Sequence, residues 1–199
     1  MSSRAAITPA GPDRIDALAD TFSRSFIDDP MLRWPLGDVP DIAGRLRQTF
    51  ASIYLDIADE RVIWEAGDAD GFAVWIPAGA AEEMFASDAA VQRQLAPLTD
   101  DDGARYETLW VWIEERVPSD VWYLDALGVE PSRQGRGVGS ALIRHGLEAA
   151  RVAGVDAFLE TGLERNVGYY ERFGFRVVDH GSPTPDGPRI WFMRRDLSP

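Results

Sequence analysis

The segment 121–154, "VWYLDALGVEPSRQGRGVGSALIRHGLEAARVAG", constrains the fold more than any other part of the chain. It opens with an apolar run over Val121–Val129, read as a strand that ends at Pro131, because proline has no N–H for the ladder. Glycines follow at 135, 137 and 139, alternating with Arg136 and Val138. Leu142, Ile143, Gly146, Leu147 and Ala150 then share one face of a helix expected over Ser140–Ala153, and Gly154 stands where such a helix stops. A second apolar run, Val155–Glu160, reads as another strand. Strand, glycine turn, helix and strand form a right-handed crossover, so a sheet with at least two parallel strands is expected.

The glycine turn is also an anion site. The first N–H groups of a helix have no partner inside it, and the helix dipole is positive there. Glycines let the backbone approach a ligand with no Cβ in the way. Two phosphate loops do not fit. The dinucleotide fingerprint, started at Gly135, needs a glycine where Ser140 stands. The P-loop needs a lysine, and all 20 basic residues are arginines. The same absence removes a Schiff-base or general-base lysine. With no cysteine and only His145 and His180, thiol nucleophiles, disulfides, thiolate zinc sites and multi-histidine centres are excluded, and no metal is expected.

The remaining sequence reads as mixed α/β. Ala5–Thr8 is a short strand. Asp13 caps a helix with Ile15, Leu18, Phe22 and Phe26 on one face, which "DDPMLRWP" breaks at Pro30. Asp41 caps a second helix carrying Ile42, Leu46, Phe50, Ile53 and Ile57. Arg61–Trp64 and Gly71–Ile76 pair around "GDADG". "AEEMFASDAAVQRQL" and "ARYETLWVWIEERV" are expected helices. Asn166–Phe173 is a short helix closed by Gly174, and Phe175–Val178 and Ile190–Arg194 are the last strands.

The 199 residues, 45% hydrophobic, are read as one domain over 1–199. A net charge of −13 argues against a nucleic-acid partner and favours cationic ones. No apolar run reaches the roughly 18 residues of a membrane span, and no signal core is evident, so a cytoplasmic monomer or homodimer is expected.

Gln134, Gly137 and Gly139 fit the pattern Q-x-x-G-x-G. "LDALGVEPSRQGRGVGSALI" resembles the acetyl-CoA-binding motif of the GNAT superfamily of N-acetyltransferases. Asn166 followed by Tyr170–Phe175, within "FLETGLERNVGYYERFGFRVV", is similar to that family's second motif. The resemblance is specific over 121–178, and the C-terminal half is most similar to the puromycin-acetylating members. It implies a GNAT-like mixed central sheet of about seven strands, flanked by helices, with a splayed central strand pair. Acceptor-pocket elements would fall within about 20–118.

The resemblance also implies residue roles. Leu127, Gly128 and Val129 would offer backbone groups to pantetheine and the acetyl carbonyl of acetyl-CoA. Gln134, Gly135, Gly137, Val138, Gly139 and Ser140 would hold its pyrophosphate, with Arg133 and Arg136 reaching the phosphates and Asn166 fixing the pantetheine arm or the helix start. Tyr170 matches the family's general acid, with Tyr169 in a packing role. Glu160, at a strand end beside the expected splay, is the first candidate for the base. Asp125 alternates with Tyr123 and Leu127 and is the second. Arg144 and Arg151 read as a solvated helix face, and His180 as a surface histidine. Trp34, Trp75 and Trp110 lie in segments that could flank an acceptor cleft. The expected reaction is direct acetyl transfer to a small-molecule primary amine. A peptide or protein N-terminus as acceptor, and a non-catalytic acyl-CoA sensor, are the alternatives.

Overall fold

The computed structural model describes residues 6–54, 62–80 and 93–197. Its strands are β1 (Ile7–Pro9), β2 (Val62–Ala66), β3 (Gly71–Ile76), β4 (Trp122–Val129), β5 (Ala157–Thr161), β6 (Arg176–Gly181) and β7 (Ile190–Arg195). They form one sheet in the order β1-β2-β3-β4-β5-β7-β6. All neighbours run antiparallel except β4 and β5, which are parallel, as a crossover requires. The helices are α1 (Ile15–Ser25), α2 (Pro30–Leu36), α3 (Ile42–Tyr54), α4 (Ala104–Glu114), α5 (Val138–Ala153) and α6 (Glu164–Glu171).

Every residue of β3 is buried, because helices cover both faces of the sheet. Phe72 and Val74 pack with Phe22 of α1 and Phe50 of α3. Ile76 continues that face against Leu109 and Ile113 of α4. Ala73 and Trp75 point the other way, to Leu142, Ile143 and Leu147 of α5 and to Tyr170 and Phe173. Gly146 allows this packing: a Cβ there would lie 2.1 Å from the Trp75 ring, so the indole rests on bare helix backbone.

Two irregularities at the centre of the sheet position the site. Val74 pairs with Ala126 and Trp75 with Leu124, so Asp125 is an extra residue bulging from β4. β4 pairs with β5 at Trp122, Tyr123 and Leu124 only, although both strands continue. The expected splay therefore begins at Leu124 and Leu159.

Several local expectations change. α5 starts at Val138, two residues nearer the glycines than Ser140, because Gly137 itself serves as the N-cap in a left-handed conformation. Asp13 lies in a short 3-10 turn, and α1 begins at Ile15. Pro30 starts a helix as well as ending one. Asp29 Oδ1 accepts the Met31 N–H at 2.9 Å, and proline is tolerated in a first turn, where no intrahelical donor is needed. Asp41 caps α3 as expected, accepting the Gly44 N–H at 3.1 Å. The helix expected around 81–95 lies mostly outside the described residues, as do Ala5, Ile57 and Arg61. Among the described residues no helix is long and apolar enough to cross a membrane.

Candidate active site

The glycine turn forms one wall of a groove of about 470 Å³. Gly135 and Gly137 have φ of 72° and 85°, values that a β-carbon makes costly, so the turn needs glycine for its backbone. They swing the chain into α5, whose first turn has no side-chain cap and so keeps free amides for an anion. Gln134 folds the loop back onto the sheet, its Nε2 donating to the Val129 carbonyl at 3.2 Å. Leu127, Val129, Arg133, Gln134, Gly135, Gly137, Val138, Gly139, Ser140 and Asn166 all line this groove.

Two expected residues do not. The open side of Gly128 faces the core, where a Cβ would meet Phe72 at 2.3 Å; the bulge at Asp125 sets this phase. Arg136 is exposed between the two left-handed glycines and lies outside the groove wall. Arg133 does line it, half-tethered by an ion pair from Nε to Asp70 at 2.9 Å. Two further arginines reach the groove from α6 and its end, Arg165 and Arg172. No sequence motif singled them out, because only the fold brings α6 opposite the glycine turn.

Tyr169 does more than pack. Its hydroxyl lies 3.3 Å from Ser140 Oγ, its ring lines the groove, and Arg172 lies 4.8 Å over that ring. Asn166 sits in the first turn of α6, where Leu163 is the N-cap, and its Nδ2 donates to Thr161 Oγ1 at 3.3 Å. It therefore ties α6 to the end of β5 and leaves the helix cap to another residue.

A second, smaller cavity of about 100 Å³ lies where β4 and β5 part. It shares Phe26, Asp29, Leu127, Asn166 and Tyr170 with the groove. Three carboxyls line it, from Asp29, Asp125 and Glu160, amid Phe22, Phe26, Tyr54 and Trp110. Tyr54 donates to Asp125 Oδ2 at 2.5 Å. Tyr123 donates to Glu160 Oε1 at 2.8 Å, while Oε2 is shut from water with no partner. Burial pushes the Glu160 carboxyl up to about 8; the Tyr123 hydrogen bond pulls it down and the charge of Asp125 adds to the rise. Burial also raises Asp29, against the Met31 and Leu32 amides and the nearby charge of Arg165.

Tyr170 is 7% exposed and borders both cavities. Burial raises its phenol well above the ordinary value, with Tyr169 and Glu160 adding to the shift. Asp125 and Tyr123 lie on the same face of β4, as alternation requires; Tyr123 packs with Phe158 and Ile76 and reaches the cavity through its hydrogen bond to Glu160. The bulge breaks the alternation after Asp125, so Leu127 turns to the face covered by α5 while still bordering the cavity. Of the three tryptophans expected near a cleft, only Trp110 borders this cavity. Trp75 is in the core, and Trp34 lines a shallow depression with Arg33 and Asp186. Arg151 pairs with Glu148, Arg144 lies over Phe173, and His180 is exposed beside Arg189.

The central splay, the glycine turn and the flanking helices make this the fold of the GNAT acetyltransferases, and residues 101–175 match the profile of the acetyltransferase (GNAT) family. Two curated relatives are mycothiol acetyltransferases. The one from Beutenbergia cavernae is 34% identical over 82 residues, 40% of this chain and 27% of its own length. The one from Propionibacterium freudenreichii subsp. shermanii is 47% identical over 55 residues, 26% of this chain and 18% of its own. The aligned part is thus about a quarter of these relatives' length or less. A solved structure described as histone acetyltransferase HPA2 and related acetyltransferase, from Corynebacterium glutamicum, covers 98% of both chains with a TM-score of 0.73 and 23% identity. At that identity the likeness is one of fold.

Proposed function

We propose that this single domain is an N-acetyltransferase that moves the acetyl group of acetyl-CoA directly to a primary amine of a small molecule. The observation that carries the reading is the junction. A groove with anion-binding amides meets an acid-lined cavity at the splay, and Tyr170, Asn166 and Leu127 border both. The groove suits the donor: free amides at the start of α5, with Arg133, Arg165 and Arg172 for phosphates. The edge of β4 beyond Leu124 has no ladder partner on the β5 side, which leaves backbone groups to hold pantetheine and an oxyanion. One preorganised donor of this kind contributes roughly 3–4 kcal/mol of transition-state stabilisation.

In this reading the amine enters through the acidic cavity. Its nitrogen attacks the thioester carbon, Glu160 takes the proton lost from nitrogen, directly or through water, and the C–S bond breaks to release CoA thiolate. A carboxyl titrating near 8 is matched to that proton at neutral pH. Tyr170 faces the leaving sulfur. Its phenol is a weaker acid than usual, so it acts first as a hydrogen-bond donor whose bond tightens as charge grows on sulfur, and the proton moves late. Asp125, held by Tyr54, supplies negative charge that favours a cationic acceptor. The size of the cavity favours a compact amine head, in keeping with the resemblance to puromycin-acetylating enzymes, over a peptide laid along an open groove.

Release of CoA thiol, followed across a panel of primary amines, tests the reading. Saturable turnover on at least one small amine is expected. Binding of acetyl-CoA with no turnover on any amine would replace it with the sensor, and failure to bind CoA would remove it altogether.

A further inference from the structure

The groove suits an anion, with the amides of α5 and with Arg133, Arg165 and Arg172, yet among the described residues that line it stands one carboxyl, Asp29. The same residue lines the cavity beyond the junction, as do Phe26, Leu127, Asn166 and Tyr170. Asp125 and Glu160 line the cavity alone. A fixed negative charge in the groove wall repels the phosphates of a donor, so the donor does not account for it. Helix capping does not account for it either. Asp29 Oδ1 accepts the Met31 N–H at the start of α2, and a neutral serine, threonine or asparagine serves that purpose as well.

The charge is also uncompensated. Among the described residues no basic side chain lines the cavity, and none forms an ion pair with Asp29; Arg165 acts on it from a distance. Its Oδ2 makes no hydrogen bond and, unlike Glu160 Oε2, is not shut from water. Burial opposes the Asp29 anion, while the Met31 and Leu32 amides and the charge of Arg165 support it. The Glu160 carboxyl is pushed up to about 8 and is therefore mostly protonated at pH 7. Asp29 is close enough to the reacting groups for its charge to add to the rise of both Glu160 and Tyr170.

We infer that Asp29 is the acceptor-binding carboxylate: it receives the substrate amine as its ammonium ion where the cavity meets the groove, beside Glu160 and Tyr170, and selects cationic amines over neutral molecules of the same shape. The inference rests on the cavity being the acceptor site of the reading above. One carboxylate oxygen then holds the start of α2 and the other holds the substrate. Phe26, which lines both spaces with Asp29, is an aromatic neighbour for the same cation. Removal of the proton stays with Glu160.

The test compares propylamine, a cation at pH 7, with 1-propanol, which is neutral and similar in size. Dissociation constants are read by NMR titration at pH 7 on the CoA-loaded protein, for the wild type, Asp29→Asn and Asp125→Asn. The wild type is expected to bind propylamine about tenfold or more tightly than propanol, the worth of a hydrogen bond to a charged group. Asp29→Asn should bring that ratio towards one with propanol and CoA affinities unchanged, because asparagine still accepts the Met31 N–H. Asp29→Ser, which also caps α2, takes its place if that variant fails to fold. Asp125→Asn should keep most of the preference. Equal wild-type affinities, a preference that survives loss of the Asp29 charge, or an equal loss in Asp125→Asn overturns the inference, as does failure to bind propylamine. Failure to bind CoA removes this inference and the acetyltransferase reading together. With CoA bound, a missing turnover removes that reading and a flat affinity pair removes this one.

Discussion

The groove and the cavity share Tyr170, yet they are assembled in opposite ways. The groove takes half of its lining residues from one continuous stretch, 127–140, with α6 closing the far side. The cavity draws on α1, α2, α3, α4, β4 and β5, with residues from Phe22 to Tyr170. The groove is open and presents backbone amides and exposed arginines. The cavity is small, and its groups are buried enough to move the Glu160 carboxyl up to about 8. A backbone site of this kind depends on conformation, whereas a buried carboxylate site depends on what surrounds it.

That difference can be broken by substitution. Glu160→Gln should lower turnover by about 10²–10⁴-fold, the usual worth of a positioned base, with acetyl-CoA affinity unchanged because Glu160 does not line the groove. Turnover in the wild type should rise with pH through about 8 as the carboxylate forms, and steady-state rates against pH read this directly. A parallel loss of acetyl-CoA affinity in the variant would show that the two regions are not separable.

Gly137→Val addresses the groove. A β-branched residue at φ 85° is strained by about 1–3 kcal/mol, so acetyl-CoA should bind about 5- to 150-fold more weakly by calorimetry. The cavity should keep its amine affinity in the same variant.

A smaller effect appears in stability. The folded state holds the Glu160 proton more tightly than the unfolded chain does. Its contribution to stability is therefore complete below the ordinary carboxyl range and is lost as pH rises through about 8. Melting temperature should fall between pH 5 and pH 9, and Glu160→Gln should flatten that fall. The smallest contrast is within the arginines. Arg165→Ala should weaken acetyl-CoA binding by about tenfold, the worth of one charge-assisted hydrogen bond, and Arg136→Ala should leave it unchanged.

The legibility of the two regions in the sequence follows the same division. The crossover unit, the glycine turn, the stop at Gly154 and the cap at Asp41 depend on neighbours within a few residues, and all are found where periodicity and capping put them, to within a turn. Alternation from Tyr123 puts Asp125 on the correct face of β4, but the bulge after it turns Leu127 to the opposite face, which strict alternation does not foresee. Arg165 and Arg172 are not legible in the sequence, because a charged residue on a short helix looks solvated until the opposite wall is known. Trp110 sits on a helix whose pattern reads equally well as core.

By itself, then, the sequence determined the mixed α/β class, the strand-to-helix turn and its glycines, and the exclusion of lysine, cysteine and multi-histidine chemistry, because these follow from local backbone geometry and from residue types present or absent. The tertiary structure decided where β4 leaves β5, which side chains crowd Glu160, and which tryptophan borders the cavity. Those depend on desolvation and on contacts between residues up to roughly 140 positions apart, from Phe22 to Glu160, and no local pattern encodes them.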